Sequence, residues 1–226
     1  MSGGPDTDAG GHLTGVPVML RVDGRLVVGV GAGPVAAAKL LPLLRQGARV
    51  RVIAPKADDP IKAAAAEGLL EWERRGYRDG DLEGAVLAVA ATDLADVNAA
   101  VAAEAQRRAL PCVRADGGGS ADLMADLRRG PLTLAVSTGG ASPALSARVR
   151  ERLEDDFGPE WGALAALLGE LREDPDVRAA LAPIPPGERR LKWRSIMDTN
   201  ILTLLRVGDI QAAREVAFAC LCSSSD

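Results

Sequence analysis

A glycine-rich turn is the first feature of the sequence whose residue types and spacing could do chemistry. Gly31, Gly33 and Ala36 in the stretch "GAGPVA" fit the pattern G-x-G-x-x-A. The first glycine permits a tight turn, the second lets the backbone approach a pyrophosphate, and the small third residue allows close packing of a helix on a strand. The start of the following helix offers amide dipoles to phosphates. The pattern predicts dinucleotide binding, and a tight turn that binds nothing is the alternative.

A second stretch, "STGGASP", offers polar groups before another predicted helix. Its candidate anion-binding residues are Ser137, Thr138, Gly139, Gly140 and Ser142. Backbone N–H groups and hydroxyls at such a position can hold a carboxylate or phosphate. Ser142 followed by Pro143 is also a good helix start, because serine caps and proline fits the first helical position. A capped helix without a ligand is therefore the alternative interpretation.

Few other side chains suggest chemistry. The single histidine, His12, lies in the polar stretch 1–15, which we expect to be a disordered tail, so histidine is not the expected base. Cys220 and Cys222 lack a second ligand pair, and we predict no metal site. The second predicted strand ends in "VIAPK" and lacks the acidic residue that usually holds the ribose of NAD. Lys56 in this stretch leaves NAD and NADP open.

Strands and helices alternate along the first half of the chain and would position these residues. Predicted strands cover 25–30, 48–55, 69–75, 85–92 and 111–116, and predicted helices cover 34–46, 58–68 and 93–109. This alternation predicts an α/β fold with a parallel sheet and helices on both faces. A loop with a short strand in 123–127, a strand at 131–138 and helices from 142 onward follow. We divide the chain into a tail (1–15), a sheet domain (16–115), a β segment (116–141) and a helical domain (142–226).

Composition and charge exclude some functions. The 226 residues are 47% hydrophobic and 26% charged, as in an ordinary globular protein. The net charge of -4 gives no general reason to expect a nucleic-acid partner. No apolar run approaches the roughly 20 residues of a membrane span, and the N-terminus lacks a signal-peptide pattern. Three cysteines fit a reduced compartment, so we expect a cytoplasmic protein without a membrane partner.

Several motifs in one order resemble a known family. They are "VVGVGAGPVAAAK", "GARVRVIAP", "LAVAATDLADVN", "LAVSTGGASPALSARVRERLE" and "WRSIMDTNILTLLRVGD". Together they resemble the precorrin-2 dehydrogenase / sirohydrochlorin ferrochelatase family, which forms the dehydrogenase part of sirohaem synthase. The resemblance covers residues 14–215, and the stretch "STGGASP" is its most specific part.

The resemblance implies an activity, a cofactor and a fold. NAD accepts a hydride from the tetrapyrrole precorrin-2 to give sirohydrochlorin, and some members then insert ferrous iron as a substrate. The implied fold is a Rossmann domain, a small β dimerisation segment and a helical domain, assembled as a homodimer. Matched positions imply that the cofactor contacts are Gly31, Gly33, Pro34, Val35, Pro55, Lys56, Thr92 and Asp93.

The resemblance also places a catalytic aspartate after the fifth strand, at Asp116. Partial burial would raise the pKa of this carboxyl and make it a better base near neutral pH. From the residues alone, an aspartate before "GGG" is better explained as a turn residue. Arg114 is a candidate partner for substrate carboxylates, because arginine binds them through two nitrogens. Family members usually carry an aromatic residue and a proline, in a pattern like "F-x-x-P-A", after this aspartate, and this chain has "GGGSADLMADLRRG" instead.

Two alternative functions remain open at this point. One is an NAD(H)-binding redox sensor or regulatory module without turnover. The other is a tetrapyrrole chelatase that lacks dehydrogenase activity. The segment that replaces the usual pattern after Asp116 keeps the second alternative open.

Overall fold

The computed structural model describes residues 15–222, so the predicted tail and His12 lie outside the described residues. The chain divides into two compact units, which we call the sheet unit (Val16–Leu123) and the helical unit (from Met124 onward). Residues 125–136, which we assigned to a separate β segment, lie in the helical unit. The dimerisation role of that segment stays a prediction.

The sheet unit contains five parallel strands and three helices. In chain order they are β1 (Leu26–Val30), α1 (Pro34–Arg45), β2 (Arg49–Ile53), α2 (Asp59–Ala66), β3 (Glu71–Glu73), β4 (Leu87–Ala90), α3 (Ala95–Arg107) and β5 (Cys112–Arg114). The strand order is β3-β2-β1-β4-β5, and Val28 of β1 lies between Arg51 of β2 and Ala88 of β4. The predicted α/β fold class is confirmed.

Apolar side chains on both faces of this sheet explain why its strands are almost uninterrupted hydrophobic runs. Val27 and its neighbours on one face pack against α1 and α2, where Leu40 and Ile61 are fully buried. Val28 lies on the opposite face with Val101 of α3. Burial of both faces is expected for a parallel sheet covered by crossover helices. The four residues of β4 are all buried, as the predicted apolar strand requires.

The first two helices begin as the sequence predicts but with a different hydrogen-bonding pattern at α2. Pro34 occupies the first turn of α1, and Gly47 after its end has a φ of +82°. Asp58 is the N-cap residue of α2, but its side chain caps no backbone amide. Its own N–H instead donates to the carbonyl of Ala32, at 2.9 Å. This bond ties the start of α2 to the glycine-rich turn.

The helical unit combines one hairpin with six helices among the described residues. They are β6 (Ala125–Arg129), β7 (Leu132–Val136), α4 (Pro143–Asp156), α5 (Pro159–Glu173), α6 (Pro175–Leu181), α7 (Pro186–Ser195), α8 (Ile201–Arg206) and α9 (Ile210–Cys222), with a short 3-10 turn at Ile196–Asp198. The two strands are antiparallel. Leu171, Ile196, Ile201 and Leu221 form the centre of its core. None of the helices within residues 15–222 has the length and apolar character that a membrane span needs.

Candidate active site

The glycine-rich turn leads from the carboxyl end of β1 into α1 and lies against the backbone that follows β4. Gly31 has a φ of +102°, and its N–H donates to the carbonyl of Ile53, at 3.0 Å. A Cβ atom at this position would lie 2.2 Å from the carbonyl oxygen of Ala91. Both the backbone conformation and the space around it therefore require glycine at residue 31.

Gly33 differs from Gly31, because the space around it is open. It is the N-cap residue of α1, with a φ of -80°, and a Cβ atom built on it meets nothing within 4 Å. Pro34 and Val35, which follow it, are exposed, whereas Ala36 is fully buried where α1 packs against the sheet. The first N–H groups of a helix have no partner within the helix. The turn thus presents free amides on an open backbone surface, which fits the approach of a pyrophosphate.

A buried asparagine shapes the loop after β4. Asn98 of α3 is only 1% exposed. Its Oδ1 accepts from the Thr92 N–H and its Nδ2 donates to the Thr92 carbonyl, both at 3.0 Å. The Thr92 hydroxyl lies 2.8 Å from the same Oδ1. These bonds hold Thr92 and the exposed Asp93 beside the glycine-rich turn, because Ala91 contacts Gly31.

Asp116 lies just beyond β5, at the same carboxyl edge of the sheet. Its two carboxylate oxygens accept from Arg114, with Oδ1 3.0 Å from Nε and Oδ2 2.9 Å from Nη2. This ion pair lowers the pKa of Asp116 to about 2, and the Asn98 side chain acts in the same direction. The expected upward pKa shift was therefore wrong. Burial does act upward, but the bidentate guanidinium outweighs it.

Three glycines carry the chain back along β5 after Asp116. Gly117 and Gly118 have φ values of +87° and +73°. A Cβ atom on Gly119 would lie 2.5 Å from the carbonyl oxygen of Cys112. The Cys112 N–H donates to the Ser120 hydroxyl at 3.0 Å, and the Cys112 carbonyl accepts from Ala121 at 3.1 Å. This return loop (residues 117–121) replaces the aromatic and proline pattern expected from the resemblance.

The adenosine end of the predicted cofactor site lies where β2 ends. Pro55 and Lys56 are exposed there. They follow Ala54, whose carbonyl accepts from the indole Nε1 of Trp72, at 2.9 Å. The Ala54 N–H donates to the carbonyl of Glu73, at 3.1 Å. Two bonds to β3 thus fix the backbone that leads into Pro55 and Lys56.

The predicted anion-binding residues of the helical unit form a tight turn before α4. The Thr138 hydroxyl accepts from the Ser142 N–H, at 3.1 Å, and lies 3.2 Å from the hydroxyl of Ser146. The Ser142 hydroxyl accepts from the Leu145 N–H and caps the helix. Gly139 and Gly140 both have positive φ values. The capping that the alternative interpretation requires is therefore present, and anion binding by Ser137–Ser142 stays a prediction.

Comparisons with known proteins show what the chain is similar to. Residues 18–124 match a family described as putative NAD(P)-binding, and residues 129–156 match one described as sirohaem biosynthesis protein central. Siroheme synthase 3 of Aeromonas hydrophila subsp. hydrophila is 38% identical over 89% of this chain and 43% of its own length. Siroheme synthase of Methylococcus capsulatus is 37% identical over 89% of this chain and 42% of its own length. The chain spans less than half the length of these relatives.

A solved structure extends the comparison to a protein of similar length. The structure titled "SirC, precorrin-2 dehydrogenase" has a TM-score of 0.67 and 27% sequence identity, and the match covers 88% of this chain and 98% of that one. Over most of its length the chain is thus similar to proteins of sirohaem biosynthesis. The resemblance drawn from the sequence motifs is thereby confirmed, and the sheet unit coincides with the residues that match the putative NAD(P)-binding family.

The predicted site residues fall into two groups. The sheet unit brings the glycine-rich turn, Thr92, Asp93, Arg114 and Asp116 to one edge of its sheet, and Pro55 and Lys56 follow β2 at that edge. The residues Ser137–Ser142 lie in the helical unit and form a second, separate group. Within residues 15–222, no group of three or more histidine, cysteine or acidic side chains is arranged to hold a metal ion.

A buried carboxylate network was missed by the sequence reasoning. Glu104 of α3 is 1% exposed and accepts hydrogen bonds from the Tyr77 hydroxyl, the Gly80 and Leu82 amides, and Arg108. Burial alone would raise the pKa of Glu104, but these hydrogen bonds outweigh it and keep the pKa below its usual value. The network ties the loop 77–82 to α3. An isolated glutamate in an alanine-rich helix gives no sequence signal for such distant partners.

Replacement of Glu104 by glutamine is expected to lower the free energy of unfolding by about 2–4 kcal/mol, since buried donors lose a charged acceptor. The depressed pKa adds a pH dependence with a definite sign. The stabilisation is fully present above the pKa of an unfolded glutamate, about 4.3, and is lost as the pH falls through the lower folded value. Urea unfolding at pH 7 and pH 4 measures both effects. Glu83→Gln, at an exposed position in the same unit, should change stability by less than about 0.5 kcal/mol.

Proposed function

We propose that this chain oxidises precorrin-2 to sirohydrochlorin with NAD as the hydride acceptor. The observation that carries the proposal is the likeness to the structure titled "SirC, precorrin-2 dehydrogenase", which extends over 98% of that chain. The open amides of the glycine-rich turn and the carboxylate of Asp116 lie at the same edge of the sheet and support it. Ligands of open α/β sheets bind at the carboxyl ends of the strands.

The sheet unit holds the cofactor in this proposal. Gly33 and Val35 contact the pyrophosphate through backbone N–H groups, Pro34, which has no N–H, contacts it through its ring, and Gly31 closes the turn beneath it. Pro55 and Lys56 border the adenosine end, and Thr92 and Asp93 line the edge at β4. NAD, when bound, supplies the acceptor for a hydride. We assign NAD rather than NADP because the family resemblance favours it, although no acidic residue ends β2.

Asp116 handles the proton that leaves with the hydride. Oxidation removes two electrons and one proton as hydride from the tetrapyrrole, and a second proton must leave a neighbouring position. An Asp116 carboxylate oxygen takes this second proton and passes it to solvent, which its partly exposed position allows. The products are sirohydrochlorin, NADH and one proton, so atoms and charge balance.

Substrate recognition in this proposal relies on the many carboxylates of the tetrapyrrole. The guanidinium of Arg114 binds one of them through two nitrogens, as arginine does with carboxylates generally. For the helical unit we propose separately that the backbone amides and hydroxyls of Ser137–Ser142 bind a carboxylate. The proposal also includes a homodimer in the cytoplasm, and sedimentation of the purified chain tests the dimer. Insertion of ferrous iron into the product is the second step that we propose.

One cuvette experiment tests the function and separates it from the alternatives. Purified protein is mixed with precorrin-2 and NAD without metal, and NADH and sirohydrochlorin absorbance are followed. We expect one NADH per sirohydrochlorin. Ferrous iron is then added, and the rate of sirohaem formation is compared with a protein-free control. Binding of NAD without NADH formation would favour a sensor, and iron insertion into supplied sirohydrochlorin without NADH formation would favour a chelatase.

Replacement of Gly33 by alanine is expected to weaken NAD binding at least about tenfold, because the added methyl group occupies the surface that the pyrophosphate approaches. Folding should be affected by less than about 1 kcal/mol, since the new Cβ meets nothing within 4 Å and the φ of -80° suits alanine. Calorimetric NAD titration and urea unfolding measure the two quantities. Gly76→Ala, also in open space, should change neither. Unchanged NAD affinity in Gly33→Ala would contradict the assigned cofactor site.

A further inference from the structure

The side chain that the proposed base contacts is itself a proposed substrate ligand. Arg114 ends β5, and Asp116 lies two residues later. Nε and Nη2 of Arg114 engage both oxygens of the Asp116 carboxylate, at 3.0 and 2.9 Å. While this pair is intact, the Nε–Nη2 edge of the guanidinium is engaged by both oxygens of the Asp116 carboxylate, so a substrate carboxylate must compete with Asp116 for that edge.

The pair is accessible enough to be opened by a ligand. The side chains of Arg114 and Asp116 are 20% and 32% exposed. Ion pairs with access to water contribute little net stability, because solvation compensates for most of the attraction. Exchange of the Asp116 carboxylate for another carboxylate on the same guanidinium therefore costs little. A polycarboxylate substrate provides such a group, and the bidentate geometry suits it equally well.

The surroundings of Asp116 leave Arg114 as the residue that determines its charge state. Asn98 approaches from α3 with an uncharged amide, and Gly118 of the return loop brings no side chain. The Cys112 thiol on β5 is buried, which raises its pKa and keeps it neutral near Arg114. Among the described residues, the charge that acts on Asp116 comes from Arg114.

We propose that Arg114 is a positioning residue that masks Asp116 in the free protein and releases it when a substrate carboxylate takes over the guanidinium. This inference rests on the proposed function, since it assumes that Asp116 is the base. Substrate binding then produces a free carboxylate beside the cofactor site. Arg114 keeps its proton throughout, and the substrate proton passes to Asp116 and from there to solvent. The base becomes available only when a polycarboxylate occupies the site.

Carbon-13 NMR titration of the Asp116 carboxyl tests the masking directly. In the free wild-type protein we expect a pKa of about 2, and in Arg114→Gln a pKa near the ordinary aspartate value of about 3.9. Saturation of the wild-type protein with sirohydrochlorin, as a polycarboxylate probe, should produce the same rise. Arg114→Lys keeps the charge but not the fork and should give an intermediate value. Arg49 is exposed at the first position of β2, at the end of the sheet opposite the site. Arg49→Gln should therefore leave the pKa of Asp116 unchanged.

Kinetics with precorrin-2 provide the second readout. In Arg114→Gln the KM should rise at least about tenfold, since one carboxylate contact is lost, while kcat stays the same or increases because the base is already free. A purely structural role for Arg114 would change stability without this division between KM and kcat. An Asp116 signal that does not move when sirohydrochlorin binds, or an unchanged KM, would overturn the proposal.

The two proposals fail in distinguishable ways. If the wild-type protein forms no NADH from precorrin-2, the proposed function is wrong, whatever the NMR titration shows. If NADH forms but the pKa of Asp116 stays near 2 with sirohydrochlorin bound, only the release by substrate is wrong.

Discussion

Asp116→Asn is expected to lower kcat for precorrin-2 oxidation by roughly 10²–10⁴-fold, the usual contribution of a positioned proton acceptor. Asparagine has nearly the same shape, so the return loop should keep its course, but an amide cannot take the proton that leaves the tetrapyrrole. NAD affinity should stay within about twofold of the wild-type value, because the cofactor contacts are assigned to the glycine-rich turn and the ends of β2 and β4. Stopped-flow measurement of NADH formation and calorimetric NAD titration give the two numbers.

The matched control is Asp122→Asn. Asp122 is exposed and lies six residues later in the same unit. The Asp122→Asn substitution removes the same charge but leaves the Arg114–Asp116 pair intact, so kcat should be unchanged. A wild-type kcat in Asp116→Asn would show that the proton leaves by another route. The carboxylate would then be a partner of Arg114 rather than the base.

The ion pair between Arg114 and Asp116 determines in which direction the acid limb of the pH–rate profile should shift. Asp116 is ionised at every pH well above its pKa of about 2, so in the free protein the base is in its charged form throughout the neutral range. If substrate binding releases Asp116 from Arg114, the acid limb of the kcat–pH profile should lie at a higher pH than the pKa of Asp116 in the free protein. The reason is that kcat reports the substrate-bound state. A limb of kcat near pH 2 would mean that the ion pair persists during turnover.

Gly31→Ala is expected to lower the free energy of unfolding by about 3 kcal/mol or more. Two costs add at this position. The φ of +102° lies outside the range that alanine adopts without strain, and the new Cβ would lie 2.2 Å from the carbonyl oxygen of Ala91. That oxygen belongs to backbone between β4 and Asn98, so it cannot move without disturbing both. Urea unfolding at pH 7 measures the loss.

Gly80→Ala separates the two costs. Gly80 has the same φ of +102°, but a Cβ atom there meets nothing within 4 Å. Its replacement should therefore show the conformational strain alone, about 1–2 kcal/mol. Equal losses in the two variants would mean that the backbone near Ala91 adjusts freely. The close approach of the glycine-rich turn to β4 would then not be a structural requirement.

Much of the sheet unit could be predicted from the sequence because its signals are local. Apolar runs bounded by glycine and proline mark buried strands, and β1 and β4 lie within the predicted ranges. The glycine pattern predicts the turn, because each of its positions requires a small residue that can be recognised in the sequence by itself. The strand order β3-β2-β1-β4-β5 could not be obtained in this way. Local signals do not show at which edge of the growing sheet each crossover places the next strand.

The parts of the site that escaped prediction depend on side-chain geometry between distant or competing groups. Arg114 and Asp116 were both singled out, but their spacing of two residues does not show that they would engage each other instead of a ligand. Glu104 finds its partners at Tyr77 and Gly80, more than twenty residues away. Asp58 precedes α2 as a side-chain cap would, but it bonds through its backbone N–H to Ala32 and its side chain caps no amide.

The return loop after Asp116 has a further consequence for how the sheet meets solvent. A strand at the edge of a sheet exposes unpaired N–H and C=O groups, which can recruit a strand from another molecule and start aggregation. The N–H and C=O of Cys112 on β5 are instead bonded to Ser120 and Ala121. The opposite edge strand, β3, has three residues, two of them glutamates. Short length and charge discourage strand addition there. The segment that places Asp116 also protects one border of the sheet against self-association.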